Sequence, residues 1–341
     1  MKKYLALILV FAMAISLMAC GSTPAPTTAK PTTTQSGSTT QPGTTTKAEY
    51  DLTGKKIVVV LKNLVNPFWV DVQTGCLSLN GTYGVTVEVV APVASDNNDE
   101  QIQLIEQKLI EGCDALVIAP SDSKGITPAI EAANQAGIPV INLNTGITGE
   151  GLKLETFVAT ENYDVAVKTA EALAKAMNYT GKIVILEGVP GQQNSIDRTN
   201  GALDTFAKYP NMEVIDDQIA NWSRSEAMKM MQDLLQKHAQ IDGVFAVNGE
   251  MALGTAEAVA QAGKTGEIFI SGIDITKELT EAVRDGKITL TNDGVSAVQG
   301  STAVQAAIDV LNGLTVEKRI VIETVVVTKE NINEYIEKYG L

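Results

Sequence analysis

Short runs of aliphatic and β-branched residues alternate along the chain with longer stretches in which apolar side chains recur three and four positions apart. Residues 56–61 are followed by 66–80, 85–90 by 97–111, 115–119 by 125–136, and then comes a further run at 139–143. The runs are continuously apolar rather than alternating, which is how strands covered on both faces read, and the longer stretches have the period of amphipathic helices. Strand and helix taking turns in this way predict an open, doubly wound parallel sheet.

The same alternation restarts after Thr160, with a helical pattern at 163–177 and strands at 182–186, 213–219, 243–247 and 267–272. Helices at 197–208, 225–238, 251–262 and 277–285 lie between or after them. A strand near 288–291, a helix at 296–311 and a strand at 320–326 are too little for a third domain, so they are expected to complete the first two. The predicted fold is α/β, with two doubly wound parallel-sheet, Rossmann-like lobes joined by a multi-strand hinge. The first lobe takes 49–160 plus 295–323, and the second takes 161–294 plus 324–341.

The N-terminus has another character. Lys2 and Lys3 precede an apolar run that ends in Leu17-Met18-Ala19-Cys20. That run is too short to span a bilayer and has the layout of a signal peptide over 1–19. Small residues before a cysteine resemble a bacterial lipobox, in which Cys20 becomes the lipidated first residue. Residues 20–48 are nearly all Thr, Ser, Pro, Gly and Gln, with too little to bury to offset the entropy of ordering, and so read as a disordered tether. These features predict a lipoprotein held at the outer face of the cytoplasmic membrane.

A formal charge of −14 lacks the basic stripe that phosphate backbones need, which excludes nucleic acid as a partner. Cys76 and Cys113 sit in apolar-periodic segments without neighbouring His or Cys, so they read as small buried hydrophobes, with a disulfide between them as the alternative.

Ligands of open parallel sheets bind beyond the carboxyl ends of the strands. Taken in order, those positions hold Asn66 with Phe68 and Trp69, then Asn144, Gln192, Asn194 and Arg198, Trp222, Asn248, Asp274 and Asp293. Amides, carboxylates and a guanidinium suit vicinal hydroxyls, and aromatic rings suit the C–H face of a pyranose. Single Asn and Asp residues at strand ends are often turn formers or helix caps, so the argument rests on their falling at one end of both sheets.

Several segments carry a resemblance to a known family. They are Asn66-Pro67-Phe68-Trp69, Gly137-Ile138-Pro139-Val140, Arg198-Thr199-Asn200-Gly201, the run from Val244 to Gly254, and Gly272-Ile273-Asp274. Together they resemble the periplasmic ribose- and galactose/glucose-type sugar-binding proteins of ABC importers, the periplasmic-binding-protein-like I family, from about Lys55 onward. The resemblance implies that Phe68 or Trp69 and Trp222 sandwich a sugar ring, while Asn66, Asn144, Arg198, Asn248 and Asp274 bind its hydroxyls. It also implies an ABC permease as partner, a monomer, and no cofactor. Ribose relatives have an acidic residue and arginine where this chain has Asn144-Thr145, and a late glutamine where it has Gly294. Pyranoses such as galactose, glucose or xylose are therefore favoured. Asn178-Tyr179-Thr180-Gly181 lacks the oxygen ligands of the galactose relatives' calcium loop, so no metal is expected.

Other functions stay open as alternatives. An autoinducer-2 or other polyol receptor, or a sensor docking on a kinase or chemoreceptor, would use the same architecture. An enzyme is disfavoured because neither a nucleophile elbow, a His-Glu-x-x-His nor a P-loop occurs, and the lone His238 reads as a solvated helix residue. The remaining enzymatic option is a glycoside-cleaving pair made of Asp274 and Asp293.

Overall fold

The computed structural model describes residues 50–339; the expected signal segment, Cys20 and the tether lie outside them. Five parallel strands build the first sheet: β1 (Lys56–Val60), β2 (Thr86–Val90), β3 (Ala115–Ile118), β4 (Val140–Leu143) and β5 (Thr156–Ala159). Five more build the second: β6 (Gly181–Glu187), β7 (Met212–Ile219), β8 (Gly243–Ala246), β9 (Phe269–Ser271) and β10 (Leu290–Asn292). The chain then returns to the first sheet with β11 (Arg319–Val321), parallel to β5, and ends in the second with β12 (Val326–Thr328), antiparallel to β10. It thus passes from one sheet to the other three times.

Strand order is β11-β5-β4-β3-β1-β2 in one sheet and β12-β10-β9-β8-β6-β7 in the other. Each sheet reverses direction of winding once, between β1 and β3 and between β6 and β8. Those two switch points open a crevice at the carboxyl ends of the strands.

The helices are α1 (Pro67–Leu77), α2 (Asn98–Glu111), α3 (Thr127–Gln135), α4 (Asn162–Ala176) and α5 (Gln193–Phe206). They continue with α6 (Arg224–Lys237), α7 (Gly249–Gln261), α8 (Lys277–Arg284), α9 (Ser296–Leu311) and α10 (Ile332–Tyr339). β1 shows why the sheet needs helices on both sides. Ile57 and Val59 join the core under α1 and α9, while Val58 and Val60 join the one under α2 and α3, and all four are completely buried. Cys76 lies in the first of these cores and Cys113 in the second, on opposite faces of the sheet, so both thiols are free. A single larger core fills the second lobe.

Four elements depart from the pattern read above. β5 lies where no strand was expected, and two strands replace the single run expected at 320–326. Glu323 and Thr324 interrupt that run where the chain crosses between the sheets. The short α10 closes the chain on Ile332 and Tyr335, buried in the second core. His238 differs too: it is half-buried, with Nε2 2.7 Å from Asp216 Oδ2 on β7. Among the described residues, no helix is long and apolar enough to cross a membrane.

Candidate functional site

Side chains from both lobes converge at the paired switch points. Lys62, Asn66, Phe68, Trp69 and Asn144 come from the first lobe; Asn194, Arg198, Trp222, Asn248 and Asp274 come from the second. They line a narrow slot that holds about 340 Å³ of atom-free space, including its open mouth.

Two wall residues are fixed as helix caps, and they set the rings beside them. Asn66 caps α1, its Oδ1 accepting from Phe68 N at 3.0 Å, with Pro67 preset for the first helical position. This turn drives Phe68 and Trp69 inward, edge to face with centroids 5.0 Å apart, and both are buried. Asn248 caps α7 through Met251 N at 2.9 Å, and its Nδ2 donates to the Trp222 carbonyl at 3.3 Å. Three pocket residues other than glycine have positive φ: Asn144 at 60°, Trp222 at 59° and Asp274 at 132°. Backbone held this way is costly and concentrates where side-chain aim matters.

Trp222 owes its place to a glycine. A Cβ on Gly188 would stand 2.2 Å from Cζ2 of the indole, so no larger residue fits between the ring and the end of β6. Gly188→Ala is expected to displace the ring and destabilise the fold by about 1–3 kcal/mol. Urea unfolding and the emission spectrum of Trp222 in a Trp69→Phe background would show this; an unchanged spectrum would contradict it.

The charged groups are buried. Arg198 donates from Nε to Asn162 Oδ1 at 2.9 Å and from Nη1 to the Val247 carbonyl at 2.7 Å, and its Cζ stands 5.9 Å from the Trp222 ring. Burial pulls its pKa down, against the opposing charge of Asp274. Asp274 Oδ2 accepts from Gly249 N at 3.1 Å. Burial pushes its carboxyl up to about 7, while the Arg198 charge holds it lower than burial alone would. Lys62 is 1% exposed and its Nζ lies 5.6 Å from the Trp69 centroid. Burial brings its pKa down to about 7; Asp96 opposes the shift and Arg198 adds to it. Asn194 lines the slot, and its Oδ1 atom is buried with no hydrogen-bond partner in the protein.

Nine of the eleven expected binding residues line this cavity, and two do not. Gln192 is completely buried beside it, but its Oε1 already accepts from Lys62 Nζ and from Trp222 Nε1 at 2.9 Å, which fills both lone pairs. Asp293 stands at the crossing from β10 to α9, with Oδ1 accepting from Val295 N at 2.8 Å, and it faces a different hollow. With Asp293 outside the slot, Asp274 and Asp293 do not form a pair across it. Lys62 escaped the sequence reading; its signal was a lysine directly after an apolar strand, which normally marks a solvated end. Among the described residues no group of three or more His, Cys, Asp or Glu could hold a metal ion.

Two α/β lobes, a cleft at their switch points and buried polar groups from both sides define a protein that binds a small polar ligand by enclosing it. The chain belongs to the periplasmic binding protein domain family, whose model matches residues 57–315. It is 32% identical to the D-allose-binding periplasmic protein of Escherichia coli over 74% of this chain and 83% of that protein. It is also 32% identical to the ribose import binding protein RbsB of Bacillus subtilis, over 94% of this chain and 97% of that one. A periplasmic solute-binding protein of an ABC transporter from Actinobacillus succinogenes, solved with bound D-allose, superposes with a TM-score of 0.79 at 30% identity, covering 82% of this chain and all of that one. These relatives are binding proteins, and so is this chain, which is not an enzyme.

Proposed function

We propose that this protein encloses one monosaccharide in its pyranose form between the two lobes and delivers it to the permease of an ABC importer. In this reading it works from the outer face of the cytoplasmic membrane, tethered by a lipid on Cys20. The observation that carries the proposal is the composition of the slot, in which two edge-to-face rings on one lobe meet an indole, a guanidinium and a carboxylate on the other. A polyol ring offers both an apolar face and hydroxyls that donate and accept, so it can satisfy Asn194 Oδ1 and Asp274 while donors on Lys62 and Arg198 take its oxygens.

D-allose is the first candidate, because two of the three relatives described above carry it in their names or bound to them, and it is a pyranose-forming hexose. D-ribose, D-galactose, D-glucose, D-xylose and myo-inositol complete the screen. A sugar at about a hundred times its Kd should stabilise the native state by about 2.7 kcal/mol and raise the melting temperature accordingly. If no member of the panel raises it, the sugar assignment is wrong. Trp222→Ala is expected to weaken the binding sugar by at least about tenfold while the fold persists, since the ring supplies the apolar face on the second lobe. Affinity unchanged in calorimetry would remove Trp222 from the site.

A further inference from the structure

We propose that residues 191–193 form a clasp that draws the lobes together without a ligand, and that Gln192 positions Lys62 and Trp222 rather than touching the ligand.

Gln192 follows β6 in the second lobe, yet it is tied mainly to the first. Its Oε1 accepts from Lys62 Nζ at 2.5 Å, and its Nε2 donates to Asp96 Oδ1 at 2.7 Å. The same Oε1 accepts from Trp222 Nε1, so one amide holds a pocket cation of one lobe and the pocket indole of the other. On either side of it the backbone is bound across the cleft. Ser123 N donates to the Gly191 carbonyl at 3.2 Å, and Gln193 N donates to Ser123 Oγ at 2.9 Å.

Local chemistry explains why a partner from the other lobe is needed. α5 has no side-chain cap of its own, because its N-cap residue is Gln192 and that amide is engaged elsewhere. The first N–H groups of a helix have no partner within it, and here the other lobe's Ser123 satisfies one of them. Gly191 permits the approach: its φ is +84°, and a Cβ would lie 2.7 Å from Asp122 Oδ2. When the lobes part, water replaces each of these bonds at small net cost, so the clasp biases the open–closed equilibrium rather than locking it. Apparent affinity then depends on the fraction already closed.

The closing role is independent of what the slot binds; the positioning role rests on the slot being the ligand site. Dyes on Lys153→Cys in the first lobe and Lys229→Cys in the second report lobe separation by energy transfer in ligand-free protein. Ser123→Ala is expected to lower the ratio of closed to open protein about fivefold, the usual weight of one hydrogen bond. Ser123→Thr should restore it, and Gly191→Ala should open the lobes further. Amide exchange at Gln193 should quicken in Ser123→Ala. Identical transfer distributions in all variants, or Gln193 exchange unaltered, would overturn the clasp. For the positioning role, Gln192→Met in a Trp69→Phe background should shift Trp222 emission in ligand-free protein by freeing the indole N–H, and an unshifted spectrum would overturn it. None of these readouts uses a sugar, so a blank sugar screen would sink the proposed function and leave the clasp to be judged separately.

Discussion

Replacing Arg198 with alanine is expected to weaken sugar binding on the order of a hundredfold or more, the largest loss from any single truncation in the slot. The guanidinium makes two directional bonds, to Asn162 Oδ1 and the Val247 carbonyl, and it supplies the positive charge that faces buried Asp274. A buried guanidinium that hydrogen-bonds a ligand oxygen contributes more than a neutral donor would, and its removal also takes away the charge that favours ionised Asp274. Asp274 would respond by holding its proton to a higher pH, and a protonated acid offers the ligand a different hydrogen-bond pattern. Arg198→Lys keeps the charge but loses the planar fork, so a loss nearer tenfold is expected. Calorimetric titration with the sugar found in the screen decides the matter, and binding within threefold of the parent protein in Arg198→Ala would exclude a ligand role for this residue.

The βα repeat was legible because strands such as Ile57–Val60 are buried on both faces and leave no polar gap in the sequence. β5 was hidden because Thr156-Phe157-Val158-Ala159 is not a continuous aliphatic run like the other strands, and its place is set by β4 and β11 on either side. The join between β11 and β12 reads as one strand because what separates them is a change of sheet, a tertiary event. The pocket was legible for a different reason: residues that cap a helix directly after a strand, such as Asn66 and Asn248, are placed by local rules that sequence carries. Lys62 was missed and the bonds that engage Gln192 were not foreseen, because each is defined by contacts with the opposite lobe. Which lysine is buried and which amide is already engaged depends on how closely the lobes meet, and no periodicity along the chain encodes that distance.

The two titrating groups in the slot should leave opposite marks on stability, with a trough between them near neutral pH. Asp274 titrates at 3.8 unfolded and at about 7 folded, so the folded state binds the extra proton and stability falls as pH rises between those values. Lys62 goes the other way. Its value of 10.5 unfolded drops to about 7 folded, so the unfolded state binds the extra proton and stability climbs from about pH 7 to 10.5. Asp274→Asn should flatten the first limb and Lys62→Met the second, and each limb is worth on the order of 4 kcal/mol. Lys62→Met should therefore raise stability at pH 7 while weakening binding, since a buried cation costs the fold what it contributes to the ligand. A sugar that hydrogen-bonds both charged forms should stabilise most within the trough. Urea unfolding from pH 4 to 10, with and without saturating sugar, measures all of this; a profile that Lys62→Met leaves unaltered above pH 7 would show that the lysine reaches water in the folded protein.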